Sequence, residues 1–485
     1  MSSKIARLAS DTVVYGISTV LSRFLTFLLT PLFTNYLSKT EIGEVAAIYA
    51  MIAFVNILYS LGMEPAFMRF WRKDDGEGNH QVFTTAFSTV AVLSVAVTLA
   101  TILLATPIAD SPMLALGGQG AHLVQIAALI PLLDGLVLIP FAQLRMQQRS
   151  RVFASLRLLS VVVTFTFTLL FVVGFGWRIE GALWAGVIGS ATTFLVFLPG
   201  IVRTLRSTVF SVHGLLRQML SFGLPTVPSN FSSIMVQVAD RPIMLMLTSS
   251  SVVGMYQTNF RLALPMMMFV TVFEYAWKPF YLNHRHDEDA KQTFATVFTV
   301  FTAVCGAIFL VTSLFIEYVV QLPFIGGRFV NPEYWDGLTI IPVVMFAYFF
   351  NGVFINMAAG LHIEKRTGFF PVATITAAIV SVVATWLLVP PYGIMGAAWA
   401  KVLAYVVSAI MLYEFSQRVY PIRYEWGKVG VLVSLSAIAY LGVISAPLEG
   451  NFMITIRVAA VAMYCSVAYL LVGGRRTSIK GLFRR

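Results

Sequence analysis

The sequence predicts an all-α integral membrane protein with about fourteen transmembrane helices, and three observations support this fold class. Of its 485 residues, 58% are hydrophobic and only 11% are charged, whereas soluble proteins carry about 25% charged residues. The mean hydropathy is +0.82. Apolar runs of about 20 residues, enough to cross a hydrocarbon core of roughly 30 Å, recur along the whole chain. So few charges argue against a water-soluble enzyme and against a nucleic-acid-binding module.

The apolar runs follow one another along the chain with short connections. They fall near residues 10–33, 42–68, 82–106, 120–144, 153–175, 181–202, 218–247, 252–277, 292–318, 336–361, 369–389, 393–415, 428–446 and 452–472. Continuous runs, rather than alternating strand segments, favour a helical bundle over a barrel. The first run lacks a small-residue cleavage pattern, so we expect a retained helix rather than a signal peptide. No connection is long enough for a separate catalytic domain, and no phosphate-loop motif indicates a fused ATPase.

Basic residues predict the orientation, because cationic loops resist translocation. With both termini in the cytoplasm, 24 of the 33 Lys and Arg residues lie in cytoplasmic turns or tails. Lys39, Arg178 and Arg328 then lie outside, and the other six basic residues fall within spans. The net charge of +11 is therefore attributed to the cytoplasmic face and not to a nucleic-acid partner. The two cysteines and six histidines form no disulfide framework and no metal-ligand pattern.

Three stretches of the chain recur in the same order. The segment 16–24 resembles 223–231, 63–70 resembles 273–280, and 179–187 resembles 394–402, at offsets of 207, 210 and 215 residues. Because each unit holds six helices, the repeats are predicted to be parallel, about an axis along the membrane normal. We expect an N-lobe over 1–210, a C-lobe over 211–420, and helices 13 and 14 with a basic cytoplasmic tail over 421–485. Two facing bundles are typical of alternating-access transporters.

Charged side chains within the predicted spans mark a candidate site. A charge at the bilayer centre costs about 2.5–3.5 kcal/mol, so it faces a partner or a wet cavity. Arg23 lies on a polar stripe of helix 1, and the alternative is a structural pair with an acid such as Glu64. Helices 7 and 8 add further polar groups at similar depth. The candidate substrate-binding residues are Arg23, Glu64, Asn230, Arg241, Gln257 and Arg261.

Asp240 has two interpretations. It lies in a helix interrupted by prolines, which makes it a candidate ion-coupling site for a proton or sodium ion. The alternative is a salt bridge to Arg261 or Lys401. Asp240 and its neighbour Arg241 point about 100° apart on a regular helix, so they need not pair. Lys401 and Arg457 are weaker candidates for substrate contact, since both can reach the membrane surface.

Several stretches resemble a known family. Ser22–Gly43, Ala239–Met244, Val253–Tyr256 and Gly396–Ala400 look like the polysaccharide transporters of the multidrug/oligosaccharidyl-lipid/polysaccharide exporter superfamily. Wzx-type flippases and the lipid II flippase belong there, and the drug-exporting MATE proteins are more distant. The resemblance implies two six-helix lobes, two additional C-terminal helices, and outward flipping of an undecaprenyl-diphosphate-linked oligosaccharide across the bacterial inner membrane.

The charged residues agree with that implication, because arginine forks bind phosphate oxygens in pairs. An anionic lipid-linked oligosaccharide and membrane lipids are thus the expected partners, with a glycan polymerase as a further candidate. No cofactor is expected, and the drive is a proton gradient, a sodium gradient or the membrane potential. A MATE-like cation exporter should instead have acids in its cavity. A glycan polymerase or ligase, the enzyme alternative, should carry a large external loop, which this chain lacks, so we expect a transporter.

Overall fold

The computed structural model describes residues 20–72, 76–118, 120–206, 213–446 and 451–473. We call residues 20–206 the first half and 213–419 the second half. The helices of the first half are α1 (20–27), α2 (Leu29–Tyr36), α3 (Lys39–Ser60), α4 (Met63–Phe70), α5 (Gly76–Leu103), α6 (Ala105–Ala109), α7 (Gly120–Met146), α8 (Ser150–Thr168) and α9 (Arg178–Arg206). A π-helical segment, Leu169–Gly174, extends α8.

The second half begins at α10 and is followed by two further helices. Its helices are α10 (His213–Gly223), α11 (Val227–Val238), α12 (Asp240–Leu247), α13 (Ser250–Leu262), α14 (Leu264–Asn283), α15 (Ala290–Gln321), α16 (Ile341–Ile363) and α17 (Phe369–Val419). Helices α18 (Trp426–Ile444) and α19 (Asn451–Gly473) complete the described chain. Short 3-10 helices cover Leu224–Thr226 and Pro332–Ile340, and β1 (Pro323–Phe324) pairs antiparallel with β2 (Gly327–Arg328).

The all-α membrane fold class is confirmed. Ten helical stretches among the described residues are long and apolar enough to cross a membrane. The longest, α17, has 51 residues and breaks at Gly393, where φ is 53°, so it is long enough for two crossings. The predicted spans 218–247 and 252–277 coincide with shorter helices separated by breaks. The predicted span 10–33 lies partly outside the described residues. A count of fourteen is consistent with this arrangement.

Local sequence explains where α3 begins and ends. At its start, the Ser38 hydroxyl accepts a hydrogen bond from the Glu41 backbone N–H at 3.3 Å. The Glu41 carboxylate in turn accepts from the Ser38 backbone N–H at 2.8 Å, which completes a capping box. At its end, Leu61 and Gly62 both take left-handed backbone angles, which stop the helix. The chain therefore changes direction between α3 and α4.

The two halves meet along a shared core and touch at two glycine contacts. The largest buried apolar cluster joins α3 and α7 of the first half to α13, α15 and α16 of the second. A Cβ on Gly43 would overlap the backbone of Ser250, and a Cβ on Gly254 would overlap the Lys39 carbonyl. Gly62 and Gly223 approach each other in the same way, where α4 packs on α10. Backbone thus packs on backbone at both contacts.

Gly254→Ala should lower the thermal unfolding temperature of the purified protein. Its new methyl group would push α13 away from α3, and overpacking of this kind costs about 1–3 kcal/mol. Gly442→Ala is the matched control, because Gly442 also lies within a helix but has open space around it. The control should be neutral or slightly stabilising, since alanine favours helix more than glycine. Equal unfolding temperatures for the two variants would contradict the close contact.

Candidate functional site

A cavity of about 1020 Å³ lies in the second half, and Arg23 of α1 reaches it from the first half. Helices α11 to α14, α16 and α17 supply the other lining residues. Its charged lining consists of four basic side chains and one acid. These are Arg23, Arg241, Lys278, Lys401 and Glu274.

A buried cluster centred on Asp240 lies at one side of this cavity. Its carboxylate is 2% exposed and receives three partners. Lys401 Nζ lies 2.8 Å from Oδ2, and Arg241 Nη1 lies 2.7 Å from Oδ1. The Tyr256 hydroxyl donates to Oδ2 at 2.7 Å. Two cations against one carboxylate leave the cluster with an excess positive charge when all three groups are ionised.

The break between α11 and α12 positions this cluster. Proline lacks an N–H, and Pro242 follows directly after Arg241. The Arg241 backbone N–H contacts the Asp240 carboxylate at 3.1 Å. The Gln237 carbonyl accepts instead from two side chains, Lys401 Nζ at 2.9 Å and Arg241 Nη1. An interrupted helix thus offers a carbonyl and a carboxylate to the same two cations.

Aromatic and amide groups hold the two cations in place. Arg241 Nε donates to Gln257 Oε1 at 3.0 Å. The Arg241 guanidinium and the Lys401 ammonium each lie 4.7 Å from the centre of the Phe260 ring, within range of a cation–π attraction. Arg241, Gln257 and Asp240, three of the residues proposed from sequence, are therefore one connected group.

The structure shows the ion pair that was one interpretation of Asp240 and corrects one expectation, while the ion-coupling role of Asp240 stays a prediction. Of the alternatives, the salt bridge to Lys401 is present. Asp240 and Arg241 also pair directly, although neighbours on a regular helix point apart. Their ion pair lies at the start of α12, of which Asp240 is the first residue.

Arg23 is half-buried and lines the cavity, but the pair proposed with Glu64 is not formed. Glu64 instead forms an ion pair with Arg145 of α7. Within the described part of the chain, Arg23 has neither an ion pair nor a hydrogen bond. Its guanidinium is thus available to a ligand in the cavity.

Two other candidates lie away from the lining. The Arg261 guanidinium packs over the Phe33 ring of α2, with its carbon 5.7 Å from the ring centre. Asn230 is exposed on α11 and does not line the cavity. Lys278 and Glu274 also line the cavity, although neither was among the residues proposed from sequence. A sequence pattern could have identified them. Thr271, Glu274 and Lys278 are three and four residues apart, which places them on one face of α14.

Comparison with known proteins gives a family and a fold. A family model described as polysaccharide biosynthesis protein matches residues 8–281. Comparison with curated protein sequences gave no match. Among solved structures, the lipid II flippase MurJ in an inward closed conformation aligns with a TM-score of 0.74 and 16% identity, covering 94% of this chain and 99% of that one. An inward-facing MATE family multidrug resistance transporter of the MOP superfamily aligns with a TM-score of 0.65 and 15% identity, covering 82% and 94%. Because the sequence identities are only 16% and 15%, these two structures show a similarity of fold alone.

Proposed function

Because the chain belongs to the polysaccharide biosynthesis protein family, we propose that it is a flippase for an undecaprenyl-diphosphate-linked oligosaccharide. It would carry the repeat unit of an O-antigen, capsule or exopolysaccharide from the inner to the outer leaflet of the bacterial inner membrane. The movement would follow an alternating-access cycle of the two halves. Both termini would lie in the cytoplasm, and a glycan polymerase that uses the delivered lipid is a proposed partner.

One observation carries this proposal: the cavity has four basic side chains and a single acid among its lining residues. Such a lining attracts an anion and repels an organic cation. A diphosphate has several acceptor oxygens, and arginine can engage two of them at once. Binding pockets for small ligands occupy about 300–1,000 Å³, so a cavity of about 1020 Å³ has room for the diphosphate and adjoining sugars.

The residues divide into proposed roles according to their contacts. Arg23 is unpaired within the described chain and would bind the diphosphate directly. Arg241 would add a second contact from the opposite half, with Gln257 fixing its orientation. Arg261 and Asn230 lie outside the lining and are proposed to meet the substrate as it passes between the halves.

Reconstitution into liposomes tests the function. The probe is a fluorescent undecaprenyl diphosphate carrying a short oligosaccharide, with its leaflet followed by a membrane-impermeant quencher. We expect translocation with the glycan length unchanged. Chain growth would instead indicate a polymerase or ligase. Translocation of lipid II alone would assign the lipid II flippase role, and efflux of an organic cation without lipid movement would assign a MATE-like exporter.

A further inference from the structure

A second membrane-embedded acid, Asp134, lies in the first half, far from the Asp240 cluster in the sequence. It belongs to α7, which spans Gly120–Met146. At 1.5 Å per residue, it lies about 21 Å from one end of this helix and about 18 Å from the other. This depth is near the centre of the membrane. Neither the cavity lining nor the proposed substrate contacts include it.

The surroundings of Asp134 leave its charge without a close counterion. Ser190 of α9 donates a hydrogen bond from Oγ to Asp134 Oδ1 at 2.8 Å. Within the described residues, no basic nitrogen lies within ion-pair distance of the carboxylate. Arg157 of α8 lies within electrostatic range, but its guanidinium is stacked 4.5 Å from the Phe141 ring centre. Tyr49 of α3 is the other titratable group facing it.

Asp134 is exposed, and two of its first-half neighbours interact with the second half. The Asp134 side chain is exposed, and so is that of Arg157. Arg157 is also within electrostatic range of Tyr275, which lines the cavity of the second half. Tyr49 is in range of both Asp134 and Arg261 of α13. Asp134 is therefore connected to groups of the opposite half through Arg157 and Tyr49.

Asp240 and Asp134 thus differ in their capacity to bind a cation. Asp240 is held by Lys401, Arg241 and Tyr256, whereas Asp134 has one hydroxyl partner. Membrane-embedded acids are typical proton carriers in transporters. Within the described chain, no group of three or more acidic, histidine or cysteine side chains could hold a metal ion. A lone carboxylate is sufficient for a proton.

We propose that Asp134, exposed and hydrogen-bonded to Ser190, is the proton-binding site that couples transport to a pH gradient. This inference rests on the proposed flippase function. In each cycle the carboxylate takes up one proton from the outer solution and becomes neutral. It releases that proton to the cytoplasm when the site opens inward, and it regains its negative charge.

Two measurements test the proposal with the full chain. In the first, infrared difference spectra of the purified protein are recorded against pH. The wild type should show protonated-carboxyl absorption against pH, and Asp134→Asn should remove one component of it. Asp110→Asn is the matched control, because Asp110 lies in the same half and is exposed at the end of α6. That control should retain this component, and persistence of the full absorption in Asp134→Asn would overturn the proposal.

The second measurement uses the fluorescent undecaprenyl diphosphate oligosaccharide in liposomes. One pH unit across the membrane should shift the leaflet distribution about tenfold for one coupled proton. Asp134→Asn should abolish this shift, and Asp134→Glu should retain it, which separates loss of the proton site from misfolding. A full shift in Asp134→Asn, or a shift driven by sodium alone in the wild type, would refute the proposal. Absence of any lipid movement in the wild type would refute the flippase function, while the infrared spectra still show whether Asp134 binds a proton.

Discussion

Asp240→Ala should reduce the free energy of unfolding by about 3–5 kcal/mol, the usual cost of removing one member of a buried ion pair. Stability falls because the substitution leaves two positive charges buried without a counterion. The side chains of Lys401 and Arg241 are 2% and 8% exposed, so both cations would stay buried without their shared carboxylate. Chemical denaturation in detergent, or the thermal unfolding temperature, measures the loss.

Two further variants make this prediction specific. Glu317→Ala also removes an acid from an ion pair, with Arg457, but the Glu317 side chain is 56% exposed. Arg457 is only 11% exposed, but it keeps a hydrogen bond to the Leu314 carbonyl, so this control should have a smaller effect than Asp240→Ala. The double variant Asp240→Ala with Lys401→Met removes one charge of each sign. It should recover at least part of the lost stability, with a coupling of about 0.5–3 kcal/mol. Equal losses in Asp240→Ala and Glu317→Ala would contradict the buried cluster.

Arg23→Ala should weaken binding of the lipid diphosphate by about 10- to 100-fold. Hydrogen bonds to charged groups contribute about 1.5–3 kcal/mol, and each 1.4 kcal/mol corresponds to a factor of ten. Stability should change little, because Arg23 makes no ion pair or hydrogen bond within the described residues. Arg23→Lys should give an intermediate loss, since lysine keeps the charge but not the two-pronged donor geometry.

The controls for Arg23 separate local recognition from general charge. Arg366→Ala removes an arginine that is exposed in the turn between α16 and α17 and should leave affinity unchanged. Arg261→Ala and the double variant with Arg23→Ala test whether both arginines share one ligand, because shared contacts give non-additive losses. Affinities of all five variants, including Arg23→Lys, are measured by microscale thermophoresis. If Arg23→Ala and Arg366→Ala bind equally well, the cavity is not the recognition site.

Much of the fold follows from the sequence, because a bilayer imposes one simple requirement on span length. The runs near 120–144 and 181–202, for example, match α7 and α9 within a few residues. The predicted runs 369–389 and 393–415 both lie in α17. Pro390, Pro391 and Gly393 mark the boundary between them. Such helix-breaking residues can be identified from the sequence alone.

The site was predictable only in part, because depth along a helix does not fix which way a side chain points. Charges within apolar runs drew attention to Arg23, which lines the cavity, and to Asp240, which has buried ionic partners. The choice of Lys401 over Arg261 as partner depends on how α17 and α13 are rotated against α12. Likewise, Glu64 pairs with Arg145 because α4 packs on α7. No local pattern specifies either packing.

The most direct test of the central claim is the affinity of the purified wild-type protein for two lipids that differ only in the diphosphate. One carries a short oligosaccharide on undecaprenyl diphosphate, and the other joins the same sugars to the same chain through an uncharged linker. A cavity lined by four basic groups and one acid should bind the diphosphate lipid at least about tenfold more tightly, the equivalent of one charge-assisted contact. Equal affinities, or tighter binding of the uncharged lipid, would contradict the account.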